Sequence, residues 1–223
     1  MTTFVLVPGA WHGGWWFEPL ARKLREHGHE AHAVTLTGVG DRSHLLTSSV
    51  NLDTHIQDVV NVLENERIED AVLCGHSYGG MVVSGVADRV PERLRALVYA
   101  DAFVPEDGQS AWDQVNDLWR QAYLSGIGGD GYTATAPPFG LDPRARTHPL
   151  ATLLQKIRLT GAWEKVPTRH FLYMAGFENT PFTPTYERLR QDPTWTVHNL
   201  PYGHDILRDA PEEFLRLLLS VAE

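Results

Sequence analysis

The chain has one cysteine, Cys74, in 223 residues, so no intrachain disulfide can form. It has no run of lysine or arginine, and its formal net charge is −9. That balance argues against nucleic acid as a partner, because a phosphate backbone is held by clustered positive charge. No apolar stretch is long enough to span a bilayer. The apolar run Phe4 to Val7 is stopped by Pro8-Gly9, too soon for a signal-peptide core. The expectation is a cytoplasmic protein without a membrane partner. Internal repeats and low-complexity segments are also missing. What is present is ordinary: 43% hydrophobic and 21% charged residues, enough for one domain with a sizeable core. Seven tryptophans exceed what an average core requires, and some are expected to line a pocket.

Short apolar runs alternate with amphipathic stretches along most of the chain. Phe4 to Val7 reads as a buried strand, followed by the glycine-rich turn Pro8 to Gly14 and a helix from about Trp15 to His27. Ala31 to Leu36 is the next strand. A helix capped by Asp53 carries Ile56, Val59, Val60 and Leu63 on one side. Strands are expected at Ala71 to Cys74, Leu94 to Tyr99, His170 to Met174 and Thr194 to His198. A last helix opens at Pro211. The alternation breaks between residues 105 and 165, where helical pieces near Trp112 to Trp119 and Leu150 to Leu159 flank a loop and the breaker pair Pro137-Pro138. That segment reads as an insertion over the strand ends, with the core formed by 1–104 and 166–223. The fold class is therefore α/β: a mainly parallel sheet of about six strands flanked by helices.

Gly75-His76-Ser77-Tyr78-Gly79 lies between an apolar strand and a helical pattern. Gly-x-Ser-x-Gly in that setting is a nucleophile elbow, a turn tight enough to strain its central residue and expose the serine hydroxyl. A serine hydroxyl is protonated at neutral pH and needs a base. His204, after the last strand and before the last helix, stands where chain order puts that base. The acid that orients the imidazole has two candidates. Glu178 follows the strand ending near Met174 and is preferred; Asp101, at the end of the strand before it, is the alternative. Donors for a developing oxyanion are expected from the backbone of Tyr78 and of Ala10 in the first glycine-rich loop. Trp11 and His12 are candidates to line the pocket.

These stretches, FVLVPGAWHGGWWF, GHSYGG, VYADAFVPEDG and the late Gly203-His204, resemble the α/β-hydrolase superfamily over essentially the whole chain. More narrowly, they resemble the branch of plant methyl-ester esterases, hydroxynitrile lyases and small bacterial esterases. The resemblance implies an α/β-hydrolase fold with a small helical cap. It also implies Ser77 as nucleophile, His204 as base, Ala10 and Tyr78 as oxyanion donors, and no cofactor or metal. The family's acid is usually an aspartate after the penultimate strand, where this chain offers Glu178. The lyases of the branch carry a threonine in the first loop and a lysine after the histidine; Gly9 and Asp205 stand there instead, which disfavours lyase chemistry. The expected activity is hydrolysis of an ester of a small, largely apolar molecule through an acyl-enzyme. A hydrolase-fold binder with little turnover, or a biosynthetic thioesterase or cyclase, would use the same site. Nothing in the chain decides against a homodimer.

Overall fold

A computed structural model describes residues 1–137 and 142–223. Pro138 of the expected breaker pair therefore lies outside the described residues. Six strands form one sheet: β1 (Thr3–Val7), β2 (Glu30–Ala33), β3 (Ala71–His76), β4 (Leu94–Ala100), β7 (Thr168–Met174) and β8 (Thr196–Leu200). Their order is β2-β1-β3-β4-β7-β8, and every neighbouring pair is parallel. Between β4 and β7 lie α4 (Ala111–Gln114), α5 (Asp117–Ser125), a small antiparallel ribbon of β5 (Thr133–Ala134) and β6 (His148–Pro149), and α6 (Leu150–Leu154).

Side chains on a strand alternate between faces, and here each face has its own core. Val5, Val7, Leu73, Leu97 and Tyr99 point to one side, against α2 (Leu52–Asn65) and α3 (Gly79–Arg89). Phe4, Leu6, Val72, Cys74 and Val98 point to the other, against α1 (Glu18–Glu26) and α9 (Pro211–Ala222). Two-sided burial explains why these strands read as unbroken apolar runs. Right-handed crossovers account for the split. The chain leaves β1 toward β2 over one face, then returns past β1 to β3 over the other. The direction of winding thus reverses between β1 and β3, and the crevice at their carboxyl ends is where such sheets take ligands.

Several element ends differ from expectation. The cap of α2 is Asn51, whose side chain accepts from the Thr54 amide while the Thr54 hydroxyl accepts from the Asn51 amide; Asp53 lies inside the helix. β2 stops at Ala33, although Val34 and Leu36 continue as buried residues, so burial outlasts strand pairing. The helix at Leu150 ends at Leu154, and the last strand runs two residues later than its apolar pattern suggested. The helix α7 (Thr183–Leu189) and the one-turn α8 (Ile206–Asp209) complete the set.

Candidate active site

Ser77 follows β3 directly and has φ 53°. This left-handed conformation is costly for a residue with a Cβ, and its neighbours make room for it. A Cβ on Gly75 would lie 2.7 Å from the Gly79 carbonyl oxygen, and one on Gly79 would lie 2.5 Å from that of Val7. Only hydrogen fits at either place, so the turn from β3 into α3 depends on both glycines. The Ser77 carbonyl accepts from the amides of Gly80 (3.0 Å) and Phe103 (3.1 Å), which ties the turn to the chain leaving β4.

Asp101, at the end of β4, is fully buried and also has a positive φ, 46°. Its Oδ2 lies 2.6 Å from Nδ1 of His204, and its Oδ1 accepts the Met174 amide at 3.1 Å. Burial pushes the Asp101 carboxyl above the usual carboxylate range, against the pull of its bond to His204. A carboxylate can only accept, so Nδ1 of His204 carries a proton and Nε2 is left to exchange one. Glu178, the preferred acid, is exposed on the loop after β7. The geometry corrects that preference: the carboxylate at His204 belongs to Asp101. The expected spacing suited Glu178, but the turn after β4 carries Asp101 inward to Nδ1 of the imidazole, and the Glu178 side chain is exposed.

The His204 ring is held between aromatic surfaces. Phe177 stacks on it at 4.7 Å between centroids, and the His76 ring is 4.5 Å away. His76 stacks in turn on Trp16 at 4.3 Å. Its Nε2 is 3.0 Å from the His204 carbonyl oxygen and so donates to it. Its Nδ1 is buried with no partner among the described residues. Burial holds the His76 pKa well below the ordinary histidine value, so the ring is neutral at neutral pH.

Ser77 and His204 line one cavity of about 250 Å³, together with Ala10, Tyr78, Trp11 and His12. Trp16, Phe103, Trp119, Tyr123, Phe177 and Phe182 supply most of its aromatic wall, while Asp205 and Arg208 add charge. Among the described residues, no acceptor takes the backbone N–H of Ala10 or of Tyr78. Both therefore remain available to an oxygen in the cavity, and Tyr78 directly precedes the amino terminus of α3. His12 turns Nδ1–H to the Ala10 carbonyl at 2.7 Å, and burial lowers its pKa. Asp205 caps α8 through the Arg208 amide at 3.1 Å. Among the described residues, no group of three or more His, Cys, Asp or Glu side chains is placed to hold a metal ion, and no helix is long and apolar enough to cross a membrane.

His76, Phe177 and Phe182 escaped the sequence reading. His76 is signalled only by its place beside Ser77, and the two phenylalanines only by lying in the loop after β7.

Residues 4–217 match the model of the alpha/beta hydrolase family, and the chain belongs to that family. It is 37% identical to a carbendazim hydrolyzing esterase from Nocardioides sp. strain SG-4G, over 99% of this chain and all of that protein. It is 26% identical to a putative chloroplastic methylesterase 11 from Arabidopsis thaliana, over 98% of this chain and 63% of that protein. An extracellular alpha/beta-hydrolase from a Paenibacillus species superposes with a TM-score of 0.85 at 23% identity, over 99% of both chains. A pyrethroid hydrolase from Sphingobium faniae JZ-2 superposes at 0.81 and 21% identity. Both superpositions describe the fold.

Proposed function

We propose that the protein is a serine esterase that cleaves a small, largely apolar ester through an acyl-enzyme on Ser77. The observation that carries this reading is the 2.6 Å contact between buried Asp101 and His204, whose ring lines the same cavity as Ser77. His204 Nε2 takes the hydroxyl proton as Ser77 attacks the carbonyl carbon. The carbonyl oxygen, now negative, is received by the free amides of Ala10 and Tyr78. The imidazolium then gives its proton to the departing alcohol, and Asp101 stabilises its charge throughout. Water deprotonated by the same nitrogen attacks the acyl-enzyme and releases the acid.

The aromatic wall supports a flat substrate group stacked beside the reacting carbonyl. The 37% identical relative, an esterase that hydrolyses carbendazim, supports the ester-hydrolase reading. The volume of about 250 Å³ favours a small molecule. Localisation in the cytoplasm belongs to the same proposal. Turnover of p-nitrophenyl acetate by wild type and by Ser77→Ala tests it. The expected result is loss of nearly all activity in the variant with an unchanged circular dichroism spectrum.

A further inference from the structure

One residue of the first loop is bonded to the β4–β7 insertion at three points. The Trp11 N–H donates to Nδ1 of His148 at 3.2 Å, its carbonyl accepts the Arg146 amide at 3.1 Å, and its indole N–H donates to the Ala134 carbonyl at 3.0 Å. Trp11 has φ 67°, a region that a bulky side chain enters only when its surroundings hold it there. It directly follows Ala10, whose own N–H has no acceptor among the described residues.

The protonation of His148 follows from its partners. An amide N–H can only donate, so Nδ1 accepts and the ring proton sits on Nε2. Nε2–H then donates to the Thr152 hydroxyl at 2.8 Å, and that hydroxyl donates onward to the Pro149 carbonyl at 2.7 Å. The ring is fully buried, and burial holds it neutral, so Nδ1 stays an acceptor. Its ring meets that of Tyr78 in a T-shaped contact at 4.8 Å. The Tyr78 hydroxyl is fixed in turn, donating to His55 Nδ1 at 2.9 Å while His55 Nε2–H donates to the Thr37 carbonyl at 2.8 Å. Trp11, which adjoins Ala10, and Tyr78 thus both rest on the same buried histidine.

We propose that His148 is a positioning residue for the oxyanion site: by accepting the Trp11 amide, it holds the first loop in its left-handed turn and keeps the adjoining Ala10 N–H available to the acyl oxygen. The insertion then does more than roof the substrate. It sets one of the two donors, and a substrate that displaces β6 misplaces that donor. This inference rests on the acyl-transfer reading above.

The test compares three substitutions at His148. Asparagine puts Oδ1 where Nδ1 was and keeps the acceptor; glutamine keeps a donor for Thr152 but has no acceptor at that place; leucine keeps neither. His148→Leu and His148→Gln should lower kcat for p-nitrophenyl acetate by about 10- to 100-fold with KM changed less than about twofold, short of the full loss of a donor. His148→Asn should return kcat to within about threefold of wild type. Wild-type kcat in the leucine and glutamine variants, or an asparagine variant as slow as leucine, overturns the inference. If the leucine variant does not fold, equal kcat in the asparagine and glutamine variants overturns it. Ser77→Ala runs alongside: activity surviving there defeats the acyl-transfer reading itself, whereas an inactive Ser77→Ala with unaffected His148 variants defeats only this inference.

Discussion

The buried Asp101 carboxylate meets Nδ1 of His204 at 2.6 Å across 103 residues of sequence. A neutral amide at position 101 would hold the imidazole in the wrong tautomer, with its proton on the nitrogen that should accept from Ser77. Asp101→Asn should therefore lower kcat by about 10⁴-fold while leaving the fold intact. Glu178→Ala should change kcat/KM by less than about threefold, as expected of an exposed charge. Steady-state kinetics on p-nitrophenyl acetate measures both.

The acid is where sequence reading and structure part, and the cause is geometric. The fold was legible, because strands buried on both faces and helices with one apolar side leave distinct periodicities. The tight turn at Ser77 was legible from Gly75 and Gly79 set between an apolar strand and a helical pattern, and the position of His204 from its place between the last strand and the last helix. Asp101 and Glu178 each follow a strand, and nothing in their spacing tells which turn bends inward. That depends on the positive φ at Asp101 and on the Met174 amide waiting for its second oxygen. The histidines behind the site were harder still. His55 and His148 meet Tyr78 only because α2 and the insertion converge there, a three-dimensional fact with no local signature.

The elbow makes a stability prediction. In Gly79→Ala the new Cβ would lie 2.5 Å from the Val7 carbonyl oxygen, backbone that cannot step aside without breaking the β1–β3 pairing. A loss of about 3 kcal/mol or more is expected, or failure to accumulate as folded protein. Gly129→Ala, where a Cβ meets nothing within 4 Å, should stay close to wild type. Urea unfolding of the two variants gives the comparison.

Burial lowers the pKa of His55 from 6.5 to about 4. The folded state therefore favours the neutral ring, and the unfolded chain binds the proton first as pH falls. The stability contributed by the neutral ring is complete above pH 6.5 and is lost as pH drops toward 4, on the order of 3 kcal/mol over that window. His76 and His148, also held neutral by burial, add to the same slope. Unfolding free energy should thus fall steeply between pH 6.5 and 4.5, and His55→Asn should flatten the fall while lowering stability at pH 7. An unchanged slope in the variant would show that His55 does not contribute to the acid sensitivity.

Cys74 lies within β3 with no exposed surface, and burial pushes its thiol pKa up. A thiol reagent such as Ellman's should leave it untouched in the native protein and titrate one group per chain in denaturant. Rapid native reaction would mean that the sheet opens far more readily than its packing implies.

If Ser77 is the nucleophile that carries the acyl group, a phosphonylating reagent should be captured at the same oxygen. Wild-type protein treated with a fluorophosphonate should gain the mass of one adduct, lose its esterase activity in step, and carry the adduct on the peptide that contains Ser77. The Ser77→Ala protein should gain none. An adduct on another residue with activity lost in step, or full esterase activity in Ser77→Ala, would show that Ser77 is not the nucleophile.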